Sequence, residues 1–361
     1  MNPIKGAAKR IWAPERKQVR DPVTGAPLWQ MTDAPCINHN LYFTHPDWSA
    51  DGAWMLFVSD RCGQFDLYAL SEEPGEILRL TDVSELNGFS AVPARSANLV
   101  YFTAGGAVLA VSVPDGELRT LLHRPGLRFT GCSLSRSEKR LVTTAHADGR
   151  WRIFVVETDG SGCEEIAALS HSAYHAQFAP FDEELILYAS DITQRMWLIR
   201  CDGSEHRPLF RHAPTTWITH ESWLGESGEV MFVHWPFALH AIDIRTDAVR
   251  QICAINAWHP SYHPEANLIV CDTTCPDRGL LLIDPATGKY HTLCHPQSSN
   301  GGTQWALTEP ASGEVTERTY GPQWTHPHPS FDRTGKRVTF TSDRTGHSQV
   351  YLCQVEGSEP A

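Results

Sequence analysis

The chain has 361 residues, and its 42 acidic side chains against 30 basic ones leave a formal charge of −12. Neither nucleic acid nor an anionic membrane is drawn to such a surface, so both are excluded as default partners, and an acidic substrate would need a local cationic site of arginine, lysine or metal. No stretch approaches the roughly 20 apolar residues of a membrane span, and the cationic start "MNPIKGAAKRIWAPERKQVRDP" has no apolar signal core, so a soluble cytoplasmic protein is expected. The ten cysteines are scattered without a CxxC pair, which reads as reduced, buried thiols rather than zinc ligands or disulfides.

Residues 1–21 read as an N-terminal extension, and "TGAPLWQMT" (24–32) as the last strand of a four-stranded unit whose other strands are missing nearby. From there the chain repeats. "HPDWSADGAWMLFVSDR" (45–61) aligns without a gap to "HPSFDRTGKRVTFTSDR" (328–344), each a short strand, a polar turn and a β-rich return. Five more copies lie between them: "FSAVPARSANLVYFT", "FTGCSLSRSEKRLVTT", "YHAQFAPFDEELILYASD", "THESWLGESGEVMFVHW" and "WHPSYHPEANLIVCD". Seven copies at a period of roughly 40 residues, without helical periodicity, predict an all-β, seven-bladed propeller as one domain over 1–361. The orphan strand at 24–32 would close the ring by joining the C-terminal blade, leaving no open sheet edge there. A long polar loop, 295–322, precedes the last blade.

The alignment stacks histidines in one column: His45, His175, His220, His259 and His328, with Ser90 and Gly131 in the second and third copies. Innermost propeller strands line the central channel, so these positions converge on one mouth. "QWTHPHPSF" (323–331) adds His326, which shares a strand face with His328, and Gln323 just ahead of it. A single histidine at a strand end usually fixes a turn; several converging ones suit a divalent first-row ion. Gln323, His326, His328 and His259 are therefore the candidate ligands, against the alternative of a satisfied polar cluster, and ligand type leaves the metal open. Arg195, in a loop returning to the same face, is either a forked clamp for a carboxylate or a solvated loop residue.

Metal, arginine and spare histidines suit an anionic ligand. A metal-bound carboxylate acidifies the neighbouring C–H, a neutral histidine can remove that proton, and a leaving group on the next carbon departs. That is β-elimination from a uronic acid. His220 is the candidate base, because it belongs to the column but not to the metal-binding blades.

At "QWTHPHPSF", "FTSDRTGHSQVYL", "THESW", "QRMWLI" and "HPSYHPEANLIVCD" the chain resembles the oligogalacturonate lyases, in outline over about 22–353. The resemblance implies a cytoplasmic seven-bladed propeller that cleaves short pectin fragments with a manganese-type ion. It also implies Gln323, His326, His328 and His259 as ligands, His220 as base and Arg195 facing substrate. With His175, His45 and His39, Arg195 makes up the expected binding set for an anionic oligosaccharide; a monomer or weak homo-oligomer is expected. One departure bears on substrate: the third copy has only "AHADGRW" where a longer insertion is expected, which leaves another uronate-containing oligosaccharide open. A non-catalytic binding propeller is the competing class. The propeller of a serine peptidase is disfavoured, because no GxSxG elbow is present.

Overall fold

The computed structural model describes residues 10–300 and 323–355, which form seven antiparallel sheets set as propeller blades. Five of the blades run outward from the channel in chain order, and the first and seventh add outer strands from the earlier segment 11–30. The innermost segments are Asn38–His39 in the first blade, Val92–Pro93, Arg128–Leu134, Tyr174–Ala179, Ile218–Trp223, Ser261–His263, and Ser330–Phe331 in the seventh.

Blade strands are covered on both faces, so they read as apolar runs rather than strict alternations. In Trp54–Ser59, Leu56 and Val58 pack against Phe102 of the second blade, while Met55 and Phe57 pack toward Val350 of the seventh. Seven such apolar clusters among the described residues fill the seven blade-to-blade interfaces. Each fully buried Leu, Val or Phe contributes roughly 1.5–3 kcal/mol, so the core is spread around the ring and the axis is left to polar groups.

Ring closure occurs where the orphan strand was expected. Pro27–Gln30 pairs with Gln349–Gln354, Leu28 opposite Cys353 and Gln30 opposite Tyr351. The preceding segment does more than extend the chain: Lys17–Arg20 adds a fifth strand to the seventh blade, and Ile11–Trp12 pairs with Ile77–Leu78 of the first. Residues 1–9 and 301–322, including most of the 295–322 loop, lie outside the described residues. All ten cysteines are free; six are buried, and Cys275 is exposed rather than buried.

Two local features shape the channel. The first is a bulge at the start of the inner strands. In blades three, four and five, two residues, Thr130–Gly131, His175–Ala176 and His220–Glu221, stand opposite one on the neighbouring strand. The bulge shifts the column by one in the third blade, where Thr130, not Gly131, matches His175 and His220. The second is the stretch from Asn40 to His45, which leaves the first blade and inserts Tyr42 and Phe43 among the histidines. Asp47 anchors it, accepting from the Leu41 amide at 2.7 Å and from Ser330 Oγ at 2.8 Å. Asn40 Nδ2 donates to the His328 carbonyl at 2.7 Å.

Candidate active site

His175, His220 and His328 all have positive φ, 50°, 50° and 42°. Left-handed backbone is costly for a side chain with a Cβ, and such strain in a packed fold collects at working sites. The bulges impose it in blades four and five, and it turns the imidazoles inward from three blades.

His259, His326 and His328 converge: one ligand nitrogen from each lies within 4.8 Å of the others, and all three side chains are buried. Neither ring nitrogen of His326 or His328 has a hydrogen-bond partner. Leaving four such buried atoms unmade is expensive in a folded protein; a divalent ion would satisfy one on each ring. His259 is already oriented for this. Its Nδ1 donates to Asp272 Oδ2 at 2.9 Å, and its backbone amide donates to Asp272 Oδ1 at 2.7 Å, which leaves Nε2 as the free lone pair. Burial lowers the pKa of all three imidazoles, and their mutual repulsion lowers those of His259 and His328 further, so they stand neutral and ready to ligate. The residues present therefore fit a divalent metal. Gln323 begins a 3-10 turn over Gln323–Thr325; its side chain lies outside the described residues.

His220 sits beside this triad, its ring 4.4 Å from His259 and edge-on to Trp258 at 4.4 Å. Burial, then His259 and Arg195, hold its pKa well below the ordinary value. Nδ1 has no partner. The ring is thus a neutral imidazole held by packing, with no hydrogen bond at Nδ1.

Arg195 belongs to the site, but its fork is engaged within the protein. Nε and Nη2 reach the two oxygens of Glu221 at 2.9 and 3.1 Å, and Nη1 donates to the Ser190 carbonyl at 3.0 Å. The fork expected either to clamp a substrate carboxylate or to be solvated is held by Glu221, a carboxylate of the protein itself. Glu221 is fully buried. Burial pushes its pKa up, but Arg195 and the hydrogen bond with His175 outweigh that and hold it low. His175 Nδ1 lies 3.4 Å from Arg195 Nη2 and 3.5 Å from Glu221 Oε1, and Nε2 lies 3.4 Å from the Tyr42 hydroxyl.

The other two predicted histidines are set apart. His39 is buried, stacked on Phe89 at 4.8 Å, with Nδ1 against the Asn40 carbonyl. His45 keeps its column position, but no ring contact links it to the other column histidines among the described residues. It lines two cavities instead: one of about 270 Å³ with Tyr42, Phe89, Tyr174 and His175, and one of about 250 Å³ toward Arg95, Arg136 and Arg333. Burial pushes both His39 and His45 down to about 4. Sequence reasoning missed Tyr42, Phe43, Glu221 and Asp272. The first two lie in an irregular excursion, and the two acids act through residues already named. Glu221, beside the candidate base, and Asp272, closing the motif that opens on His259, both stood within quoted motifs, but nothing in those motifs marked either acid as a partner.

A family model described as oligogalacturonate lyase matches residues 163–359, more than half of the chain, including His175, Arg195, His220, His259, His326 and His328. The oligogalacturonate lyase of Dickeya dadantii (strain 3937) is 23% identical over 400 residues, 94% of this chain and 96% of that protein. The oligogalacturonide lyase of Pectobacterium atrosepticum is 22% identical over 386 residues, with the same coverage. Among solved structures, an oligogalacturonate lyase in complex with manganese superposes with a TM-score of 0.84 at 20% identity, covering 98% of this chain and 99% of its own. At that identity the likeness concerns the propeller fold.

Proposed function

Since the chain belongs to the oligogalacturonate lyase family, and is therefore a lyase, we propose that it cleaves short pectin-derived oligogalacturonides by metal-dependent β-elimination, with His220 as general base. The observation that carries the reading is the convergence of three neutral, buried imidazoles with unmade nitrogen bonds beside a fourth imidazole at 4.4 Å.

His259, His326 and His328 would hold the ion, and Gln323 remains the candidate fourth ligand. When bound, a divalent ion withdraws charge from the substrate carboxylate and so acidifies the hydrogen on C5. His220, neutral and desolvated, takes that proton. The C–H electron pair becomes the C4=C5 double bond, the C4–O bond breaks, and the departing oxygen takes a proton from water to become a hydroxyl, after which the His220 imidazolium returns its proton to solvent. Arg195 contributes positive potential near the bound anion and, through Glu221, fixes the strand that carries His220. Tyr42 and Phe43 keep water from the faces of the imidazoles. The manganese complex of the structural relative supports manganese as the ion.

The test is ultraviolet absorbance of the unsaturated product, with a reducing-end assay beside it, on chelator-stripped protein with and without added manganese. Oligogalacturonates and a panel of other uronates serve as substrates. Manganese-dependent cleavage of oligogalacturonate is expected. Cleavage of a different uronate alone would move the substrate and keep the chemistry, and no cleavage with metal bound would overturn the proposal.

A further inference from the structure

The short hairpin of the third blade joins Arg140–Ala147 to Arg150–Glu157 through Asp148 and Gly149, with φ of 52° and 71°. This two-residue turn follows the twist of its strands and adds no bulk above them. A row of side chains across the end of the blade is left uncovered by it. Arg128 pairs with His146, His146 with Trp151, and Trp151 with Leu169. Residues directly opposite in neighbouring strands point to one face, so His146, Trp151 and Leu169 form a line on the face toward the fourth blade. Arg128 continues it at the innermost strand, from where its guanidinium reaches back to Glu85 in the segment leading into the second blade. His146 and Trp151 are in ring contact at 4.9 Å, and Trp151 meets Tyr174 of the fourth blade edge-on at 4.4 Å. Tyr174 immediately precedes His175 and lines the same cavity.

The row lies on the open side of the site. The His175 side chain is 33% exposed, whereas His259, His326 and His328 are at most 2% exposed. A ligand therefore approaches past His175 and Tyr174. An aromatic row that merely sealed the two blades would be buried, yet Tyr174 is 38% exposed. The Arg128 side chain is 66% exposed, facing Glu85 across 3.7 Å. Exposed aromatic surface beside a guanidinium suits a pyranose ring that carries a carboxylate.

We infer that this end of the third blade is a further sugar subsite, in which Tyr174 and Trp151 carry the ring, and Arg128 the carboxylate, of the uronate next to the one held at the catalytic histidines. The inference rests on the lyase reading and assigns specificity to a place outside the histidine cluster. Arg128 swings from Glu85 to the substrate carboxylate, and His146 packs against the Trp151 ring at 4.9 Å.

The experiment is calorimetric titration of trigalacturonate into manganese-loaded His220→Ala protein, which binds without turnover. Arg128→Ala, Trp151→Ala and Trp151→Phe are then added to that background. Arg128→Ala and Trp151→Ala are expected to weaken binding by about tenfold each, and Trp151→Phe to retain it. Arg128 is exposed, so its variant keeps the fold even if loss of Trp151 loosens the blade interface. Affinities within twofold of the parent for both alanine variants would overturn the subsite while leaving the proposed function standing. A parent that binds no trigalacturonate would overturn both, since the subsite would then have no uronate to hold.

Discussion

Replacing Asp272 with asparagine should separate metal affinity from fold stability. The carboxylate accepts two bonds from one residue, the His259 amide at 2.7 Å and Nδ1 at 2.9 Å. An asparagine of the same shape can satisfy only one of them. With its oxygen on the amide, its NH2 faces Nδ1, which must then accept, and the ring proton moves to Nε2, the nitrogen required for the metal. With the amide flipped, two N–H groups oppose each other at the backbone. Loss of such a partner behind a histidine ligand weakens metal binding by about 10- to 100-fold, or about 1.4–2.7 kcal/mol. The metal-free protein should not melt earlier, because burial already disfavours the charged carboxylate, whose pKa is pushed up to about 7. Manganese titration of the chelator-stripped protein, with thermal melts of the metal-free form, reads both quantities. Wild-type affinity in Asp272→Asn would refute the argument that this carboxylate sets the His259 tautomer.

His220→Ala should abolish turnover while manganese still binds with wild-type stoichiometry; measurable cleavage would remove His220 from the role of base. Arg195→Ala strands the buried carboxylate of Glu221 and should cost about 3 kcal/mol in chemical denaturation, whereas Arg195→Ala with Glu221→Gln should regain most of that stability and none of the activity. Equal stability of the single and double variants would mean the pair is not the structural unit described. Asp47 is buried and its pKa raised to about 6 against 3.8 in an unfolded chain. Its stabilising effect is therefore complete below about pH 4 and lost as pH rises through about 6. Asp47→Asn should remove that dependence and gain about 3 kcal/mol at neutral pH. Parallel pH–stability curves for both proteins would contradict the assignment.

The blades were legible because each copy repeats a turn and a strand pair, and these depend on local residues. Closure was legible too, since the Pro27–Gln30 strand lacks partners nearby in sequence. The histidine column could be read because symmetry carries equivalent positions to one mouth. What stayed hidden follows from departures from that symmetry. A bulge adds one residue without an unmistakable mark in composition, which is why Gly131 stood in the column where Thr130 belongs. The bulge also lets His220 and Glu221, successive residues that a regular strand would send to opposite faces, serve one site. Arg195 was placed correctly in space, yet its partner could be found only once that bulge was known. Tyr42 and Phe43 come from an inner segment that leaves the repeat, so no alignment of copies could point to them.

The pairing of Pro27–Gln30 with Gln349–Gln354 also sets an order on biosynthesis. The blade that bears His326 and His328 takes its inner strands from residues 330–354 and its outer ones from residues 17–30, so a ribosome must synthesise the chain through Gln354 before that blade can assemble. His259, on the sixth blade, emerges earlier. A chain synthesised only as far as the sixth blade therefore carries one of the three converging imidazoles, and the cluster of His259, His326 and His328 forms only when the seventh blade closes.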